Sequence, residues 1–302
     1  MRKVGEEAMS WQEFPVFVPY GEERLCAVVC TPEGDCHDLG VVLLTGGNYT
    51  RSHRNRMWVR AARSLAEHGF PSIRLDYHGV GDSTGHARFD LDVPFDGDVA
   101  AAADFLERAL GCSRLMLVAT CFGGRSAVAA AAALPAVVAA TIFEMPVLVP
   151  PPDRPASLQG MLKRRILGSP RARALLKHRS VKRLRGRVAA ELPRAREVVI
   201  ARFKQEVVSF VRRGELRLIY GRESEALPGI RRCVAEVEPT LEPRERERIR
   251  LELIEGTGPH RFRTLPDQDL AVDQTVASVC EIFELLESRP AATRQPSAAP
   301  RS

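Results

Sequence analysis

The sequence lacks the features that mark membrane, secreted and repeat proteins. No apolar run reaches about 18 residues without a charge, so we expect no membrane-spanning helix. The opening MRKVGEEAMSWQEF has basic residues but no apolar segment after them, so we expect no secretory signal. No segment of the chain is repeated. With 45% apolar and 27% charged residues among 302, the composition is that of a globular protein long enough to bury a full core.

Cysteine is present, but not in a pattern that predicts disulfides or a metal site. The seven cysteines are an odd number without regular spacing, and Cys26, Cys30 and Cys36 have no histidine at ligand spacing. We interpret them as small buried residues in a reducing compartment, and therefore expect a cytoplasmic location. The sequence predicts neither a metal ion nor another cofactor.

Acidic residues are nearly absent from one basic block. Between Arg154 and Arg213 there are eighteen Lys or Arg residues and three Glu, although the net charge of the whole chain is +6. The block has no interleaved aromatic residues and no nucleic-acid-binding motif, so we do not expect nucleic acid as a partner. Two interpretations stay open, a solvated helical face or a surface that meets an acidic substrate carrier.

The serine of a common nucleophile motif is also missing, and a cysteine stands in its place. The segment from Arg114 to Ser126 reads RLMLVATCFGGRS, in which an apolar strand runs into Cys121 and then into an alanine-rich helix. A reactive side chain at such a joint is typical of a nucleophile elbow, usually G-x-S-x-G. Here the five residues are Ala-Thr-Cys-Phe-Gly, with alanine at the first glycine position. The pattern predicts Cys121 as a nucleophile held above the edge of a sheet.

Strands and helices of ten to fifteen residues alternate along most of the chain. This alternation predicts an α/β fold with a mainly parallel central sheet and right-handed crossovers. The predicted strands are Glu13–Tyr20, Arg24–Thr31, Leu39–Leu44, Pro71–Leu75, Arg114–Ala119, Val137–Phe143, Glu215–Tyr220 and Arg250–Ile254. The predicted helices outside the basic block are Asn55–His68, Asp96–Leu110, Gly124–Leu134, Pro228–Val237 and Leu270–Ser288.

The alternation stops in the basic block, which gives the expected domain boundaries. We predict a core formed by residues 10–149 and 214–288, and a basic helical cap insertion at 150–213 over the C-terminal edge of the sheet. The last segment, 289–302, reads RPAATRQPSAAPRS. Because it is rich in Pro, Ala and Ser, we expect it to be disordered.

These features together resemble the α/β-hydrolase superfamily over roughly residues 10 to 288. The segment GGNYTRSHRNRMWVRAARSLAEHGFPSIRLDYHGVGDSTG, which begins at Gly46, is similar to small hydrolases associated with exosortase systems. Those hydrolases resemble the serine-aminopeptidase group and can carry cysteine at the elbow, and a cysteine elbow is also similar to that of dienelactone hydrolases. The ending PHRFRTLPDQDLAVDQTV resembles the histidine loop and final helix of such enzymes. The resemblance implies an α/β-hydrolase fold, with Cys121 as nucleophile, His260 as base, and Gly47 and Phe122 in the oxyanion region.

Position along the chain also selects the base. In this fold the acid and then the histidine follow the nucleophile, each after a later strand. Among seven histidines, His260 is the one that lies just past a late strand, in GTGPHRF. His78 occupies an early loop near the same sheet edge, where we expect it to line the pocket. The others, in loops, helix ends or the basic block, are His37, His53, His68, His86 and His178.

The carboxylate that completes a triad is left open among three residues. Related enzymes usually carry aspartate three residues after the glycine that ends the strand before the acid, and that position here is Ser224. We rank Glu225 first, then Glu144 at the end of the preceding core strand, then Glu223. A Cys–His pair also needs a strong acid less than a Ser–His pair does, because a thiolate forms more readily than an alkoxide.

Negative charge that develops on a substrate oxygen requires N–H donors aimed at it. The Phe122 amide is one predicted donor, and it also begins a helix whose dipole favours anions and a lowered thiol pKa. The second predicted donor comes from the loop after the first parallel strand, at Gly47 or Asn48.

The sequence therefore predicts acyl transfer through a cysteinyl thioester, with a small ester or thioester as substrate. Hydrolysis is the first hypothesis. An acyltransferase or a chain-release thioesterase of a biosynthetic pathway is an alternative, because an acyl-cysteine also reacts with amines and thiols. The basic block would then meet an acidic acyl carrier protein. A non-catalytic binding protein on the same fold is a third hypothesis, supported by serine at position 224.

Overall fold

The computed structural model describes residues 11–47, 49–149, 198–256, 262 and 264–288. Its strands are β1 (Trp11–Tyr20), β2 (Glu23–Pro32), β3 (Leu39–Leu44), β4 (Ser72–Leu75), β5 (Arg114–Thr120), β6 (Val137–Phe143), β7 (Leu148–Val149), β8 (Val198–Val199), β9 (Glu215–Gly221) and β10 (Ile249–Ile254). Its α-helices are α1 (Met57–Glu67), α2 (Asp96–Leu110), α3 (Phe122–Ala133), α4 (Ala201–Val211), α5 (Leu227–Val237), α6 (Pro243–Arg246) and α7 (Leu265–Ser288).

Eight of these strands form one sheet in the order β1-β2-β4-β3-β5-β6-β9-β10. The first two strands form an antiparallel hairpin around Gly21, and β2 also pairs antiparallel with β4. From β4 to β10 every neighbouring pair is parallel. The carboxyl ends of these parallel strands therefore meet at one edge, as expected for a sheet whose strands are joined by helical crossovers.

Helices cover both faces of the sheet, and β3 shows how the sequence directs this. All six residues of LGVVLL are buried, as in a strand packed on two faces. Leu39, Val41 and Leu43 belong to the apolar cluster that contains residues of α1 and α7. The alternate residues face the other side, where a Cβ at Gly40 would lie 3.2 Å from Leu106 of α2. The predicted α/β architecture, a mostly parallel sheet flanked by helices, is thus confirmed.

The chain divides into two compact units. One contains the residues up to Val147 and those from Ala201 onward, and the other is Leu148–Ile200. The described part of the second unit is an antiparallel ribbon in which β7 pairs with β8. Helix α4 belongs to the first unit. The predicted cap at 150–213 lies mostly outside the described residues and the tail at 289–302 lies wholly outside them, so these boundaries stay predictions.

The predicted elements of the core are confirmed, with shifts at some ends. Helix α3 begins at Phe122 rather than Gly124, and α7 begins at Leu265 rather than Leu270. The ribbon and the short helix α6 were not predicted, because two-residue strands and a four-residue helix are too short to show a periodic pattern. Within the ranges given above, none of the helices is long and apolar enough to cross a membrane.

Candidate active site

Cys121 occupies the bend between β5 and α3. Its backbone has φ 49° and ψ −123°, a region that residues with a side chain rarely adopt. The bend is fixed from both sides, because the Cys121 N–H donates to the Phe143 carbonyl at 2.9 Å and the Gly124 N–H donates to the Cys121 carbonyl at 3.0 Å. A strained residue held by its surroundings is typical of a functional site. The sharp strand-to-helix bend is therefore present with the Cys121 thiol at its apex, and the nucleophilic role of that thiol stays a prediction.

Glycine at two positions lets the loop after β3 approach this bend. A Cβ at Gly46 would lie 2.6 Å from the Cβ of Cys121 and 2.9 Å from the Thr120 carbonyl oxygen. A Cβ at Gly123 would lie 2.5 Å from the Thr45 carbonyl oxygen. Because such distances are shorter than carbon atoms tolerate, side chains here would force the loop and the helix apart. The sequence GG after β3 and FGG after Cys121 thus serve one close contact.

The predicted oxyanion donors lie on the two sides of that contact. Burial raises the pKa of the Cys121 thiol, so the lowered pKa expected from the sequence was wrong, and the hydrogen bond from the Phe122 N–H to the thiol only opposes the rise. Gly47 has φ 55° and nothing within 4 Å of the place a Cβ would take, so open space adjoins its backbone. The loop is tied at Thr45, whose hydroxyl donates to the Tyr49 carbonyl at 2.9 Å. Asn48, the other predicted donor, lies outside the described residues.

Glu144 places a buried carboxylate at the same edge of the sheet. It follows β6 directly, has φ 55°, and is fully buried. Its Oε1 accepts a hydrogen bond from the Gly221 N–H at 2.6 Å, and its Oε2 accepts one from the Ser224 hydroxyl. Burial raises the pKa of Glu144, while these two donors oppose the rise. Its charge in turn raises the pKa of the Cys121 thiol, which places the two groups within electrostatic reach.

The turn after β9 offers no comparable carboxylate. Glu225 and Glu223 both have exposed side chains. The backbone N–H of Glu223 donates to the Gly256 carbonyl at 2.9 Å, so the turn is fixed against the end of β10. Ser224, at the position where related enzymes carry the acid, is buried and turned toward Glu144. Position 224 is thus used to hold a carboxylate from the neighbouring strand.

The predicted base, His260, lies outside the described residues, but Phe262 shows where the chain after it is attached. Phe262 is buried, and its ring lies 6.4 Å from the ring of Phe143, the residue before Glu144. The Phe262 carbonyl accepts a hydrogen bond of 2.7 Å from the Gln268 side chain. Phe262, two residues after the predicted base, is therefore anchored beside the end of β6, which Glu144 follows.

His53 adjoins this site, although the sequence suggested no role for it. Its ring is 8% exposed, stacks on Tyr49, and lies at right angles to Phe262 with ring centres 5.3 Å apart. Its Nε2 is 3.4 Å from the Thr120 hydroxyl, next to the nucleophile. Burial, with a smaller effect of the Arg54 charge, lowers the pKa of His53 to about 4. His53 is therefore a neutral ring that contacts Tyr49 in the loop after β3, Thr120 at the end of β5, and Phe262.

In the described part of the chain, one group of possible metal ligands is already neutralised by an arginine. Ligand atoms of Cys26, Asp76 and Asp82 lie within 4.8 Å of one another. The Arg51 guanidinium, however, pairs with Asp76 and lies 2.9 Å from Asp82. An arginine that neutralises both carboxylates indicates a structural ion-pair cluster rather than a cation site.

Comparisons with known proteins identify the fold family. A family model described as alpha/beta hydrolase fold matches residues 40–197. Curated protein sequences include no match to this chain.

Solved structures give the same fold at low sequence identity. An esterase from Pyrococcus furiosus superposes with a TM-score of 0.61 at 13% identity, covering 91% of this chain and 93% of the esterase. Dienelactone hydrolase from Anabaena variabilis gives a TM-score of 0.57 at 17% identity, covering 90% of this chain and 98% of that enzyme. Proline iminopeptidase from Mycobacterium smegmatis gives 0.51 at 19% identity, covering 88% and 100%. At these identities the likeness shows a shared architecture, but it does not show that the substrates are shared.

Proposed function

Because the chain belongs to the α/β-hydrolase fold family, we propose that it hydrolyses an ester or a thioester through an acyl-cysteine intermediate on Cys121. The observation that carries the proposal is the strained backbone of Cys121 between β5 and α3, with the Phe122 N–H on its sulfur. The esterase and the dienelactone hydrolase among the similar structures support a hydrolytic reaction.

The reaction begins with attack by sulfur. His260 takes the thiol proton, and the Cys121 sulfur bonds to the carbonyl carbon of the substrate. The carbonyl electron pair moves onto oxygen, where the N–H groups of Phe122 and of Gly47 or Asn48 stabilise it. The pair returns, the bond to the leaving group breaks, and His260 gives the proton to that group. Water then repeats the sequence on the thioester, releasing a carboxylic acid and the free thiol.

Glu144 is the carboxylate that we propose to orient His260. It is buried and held by two donors at the edge where Cys121 lies, and the chain after His260 is anchored against the neighbouring Phe143. Glu225, the first choice from sequence, is exposed and would have to leave its turn to reach the site. A buried carboxylate also stabilises an imidazolium more strongly than an exposed one does.

Acyl transfer is a second candidate function, favoured by the basic block of eighteen Lys or Arg against three Glu. A block of one charge attracts partners of the opposite charge, and acyl carrier proteins are acidic partners that deliver thioesters. In this variant the thiol, hydroxyl or amine of an acceptor replaces water in the second half of the reaction. Its proton passes to His260 as it bonds to the acyl carbon.

Intact-protein mass spectrometry tests the proposal. We expect incubation with a panel of acyl esters and acyl thioesters to add one acyl mass to the wild-type protein. The added mass should be absent from Cys121→Ala and retained in Cys280→Ala, a matched control because both thiols are half-buried. Acylation that persists in Cys121→Ala would refute the proposal.

Thiol labelling separates an enzyme from a non-catalytic binding protein. An active Cys121 should react with a small alkylating reagent faster than the other six cysteines, and the rate should fall in His260→Ala. Uniformly slow labelling, together with no acylation by any substrate, would favour a binding protein on a hydrolase fold.

A further inference from the structure

The two outer strands of the large sheet differ in how they are protected. Strand β1 lies at one end and carries Pro15 and Pro19, which have no N–H to donate to another strand. Strand β10 lies at the other end, reads IRLELI, and contains no proline, glycine or bulge. In the described part of the chain, no strand pairs with its outer side. An edge strand of this kind is a template for pairing with a further strand.

Backbone hydrogen bonds show which residues of β10 face its outer side. The Leu216 N–H donates to the Arg248 carbonyl at 2.8 Å, and the Arg222 N–H donates to the Ile254 carbonyl at 2.9 Å. Between these points β10 pairs with β9 in an uninterrupted parallel register, so its even-numbered residues bond to β9. Because successive residues of a strand direct their N–H and C=O groups to opposite sides, the odd-numbered residues direct theirs outward. These residues are Ile249, Leu251 and Leu253.

The side chains of β10 complement themselves when the strand is paired antiparallel with a second copy. With a two-fold axis at Leu251, Arg250 of each copy lies opposite Glu252 of the other. Ile249 of each copy lies opposite Leu253 of the other. The outward-directed residues then become hydrogen-bonded pairs that exchange N–H···O bonds. The charged residues occupy the closer positions between them, where opposite Cα atoms are about 4.5 Å apart.

The side chains that would form this contact are accessible. Arg250 is exposed and Glu252 is half-buried, and neither has an ion-pair partner among the residues that the structure describes. Ile249, Leu251 and Leu253 lie on one face and are half-buried, so apolar surface on that face still meets solvent. An axis displaced by one residue, to Arg250 or to Glu252, would put that charge opposite its own copy. The charges therefore select one register.

We propose that β10 is a self-association surface, through which two copies of this chain form an antiparallel dimer with its axis at Leu251. The two eight-stranded sheets then join into one, and neither copy keeps β10 as an open edge. A strand of another protein would not require the charges and apolar residues of β10 to be self-complementary. Because one strand pair forms a small interface, the dimer should dissociate on dilution. The inference goes beyond the proposed hydrolysis and does not depend on it, since it uses no residue of the candidate active site.

Charge exchange tests the dimer. In sedimentation velocity from about 1 to 300 μM, the full wild-type chain should change from monomer to dimer. Arg250→Glu puts like charges opposite each other in both charged pairs and should weaken association by about tenfold or more. The double variant Arg250→Glu/Glu252→Arg restores opposite charges in both pairs, so its association should return to within about threefold of wild type. Arg108→Glu, the same change on the exposed side of α2 near the other end of the sheet, should have no effect.

Disulfide formation tests the register. Positions 250 and 252 of opposite copies lie close enough for a disulfide, so a mixture of Arg250→Cys and Glu252→Cys proteins should form one on mild oxidation. The other charged pair of this mixed dimer stays intact. Neither variant alone should link position 250 to itself or position 252 to itself. Peptide mass spectrometry distinguishes these links from disulfides of the seven native cysteines.

Two results would overturn the proposed dimer. A chain that stays monomeric over the whole concentration range would leave this edge to an extended segment of another protein. A dimer that Arg250→Glu does not weaken, or that the double variant does not restore, would place the interface elsewhere. Thermal unfolding verifies that each variant is folded. Cys121→Ala should dimerise as wild type does, so failure of the acyl-enzyme proposal would leave this test unaffected.

Discussion

Glu144 is the residue at which sequence and structure lead to different choices. Sequence position favoured Glu225, because in related enzymes the acid follows the strand that corresponds to β9. In the structure that turn presents Ser224 to the interior and leaves Glu225 exposed, while Glu144 is buried at the end of β6. Which member of an acidic turn faces inward depends on backbone torsions that local sequence does not specify. The position of Cys121 at the bend was predictable, because the motif around it is one that local sequence associates with the backbone torsions of a strand-to-helix turn.

Removing the charge of Glu144 should lower the pKa of the Cys121 thiol and also lower the turnover rate. In Glu144→Gln the thiol pKa should fall, because the negative charge that raises it is gone. With His260→Ala in both proteins, so that the base does not contribute, alkylation of Cys121 at pH 7 should then accelerate by about fivefold. If Glu144 is the proposed partner of His260, turnover should drop by about 100-fold, because the imidazolium would lose that partner.

Glu225→Gln is the control for that measurement, since its exposed side chain should leave both rates unchanged. Alkylation rates by mass spectrometry and kcat with a thioester supply the two quantities. A loss of turnover in Glu225→Gln, with Glu144→Gln fully active, would return the role to the sequence-based choice.

His53 predicts an acid-sensitive stability. Its pKa is about 4 in the folded protein, below the ordinary value near 6.5, so between these values the unfolded chain binds the proton and the folded chain does not. Its contribution is therefore complete above pH 6.5 and is lost as the pH falls toward 4. We expect wild type to lose about 2 kcal/mol of unfolding free energy between pH 7.5 and pH 5 from this group.

Urea unfolding of His53→Phe checks this. The variant keeps the aromatic contacts but has no proton to bind, so its stability should fall less between the two pH values. His86→Phe, at an exposed position, should keep the wild-type dependence. Identical pH dependence in wild type and His53→Phe would contradict the prediction.

At the scale of elements, periodicity and glycine positions were sufficient to find almost every strand and helix of the core. The continuous apolar run of β3 and the alanine-rich α3 carry the signals directly. The ends were less certain, because Phe122 and Gly123 were placed in the turn although the helix already begins there. Glycine has a low helix propensity, so the sequence favoured a turn at Gly123. The helix nevertheless begins before Gly123, because the close approach of the loop after β3 requires a residue without a side chain there.

The two glycines of α3 should differ in their tolerance of a methyl group. At Gly123 a Cβ would meet the Thr45 carbonyl oxygen at 2.5 Å, and this backbone cannot rotate away. At Gly124 it would meet Ile142 and Met145 side chains, which can shift. We expect Gly123→Ala to cost about 3 kcal/mol of unfolding free energy and Gly124→Ala about 1 kcal/mol. Urea denaturation measures both, and the reverse order would show that the β3 loop yields more easily than the side chains.

At the scale of the whole molecule, the fold class followed from the alternation of elements, but the order of the strands did not. Strand β10 pairs with β9 and β4 lies between β2 and β3, arrangements that depend on contacts between residues distant in sequence. The placement of His260 and of the basic block likewise depends on parts of the chain outside the described residues, and those assignments stay predictions.

The charge distribution predicts that binding of an acidic partner depends on salt. If the basic block binds an acidic acyl carrier protein, the affinity of this chain for that carrier should fall by about tenfold or more between 50 and 500 mM salt, because added ions screen the attraction. Replacing Lys163, Arg164 and Arg165 with serine should weaken binding at low salt. The control is the replacement of the exposed Arg244 and Arg246 on α6, which should not. If the calorimetric affinity changes neither with salt nor on replacement of Lys163, Arg164 and Arg165, the carrier interaction would be refuted.

The hydroxyl of Ser224 on Glu144 constrains how this site can evolve. An aspartate at 224 would restore the usual acid, but beside Glu144 it would put two carboxylates in one dry pocket, where both cannot stay ionised. The carboxylate can therefore move during evolution between position 144, after β6, and position 224, after β9, only if both positions change together. Homologous sequences should accordingly carry a carboxylate at one of the two positions and a small neutral hydrogen-bonding residue at the other.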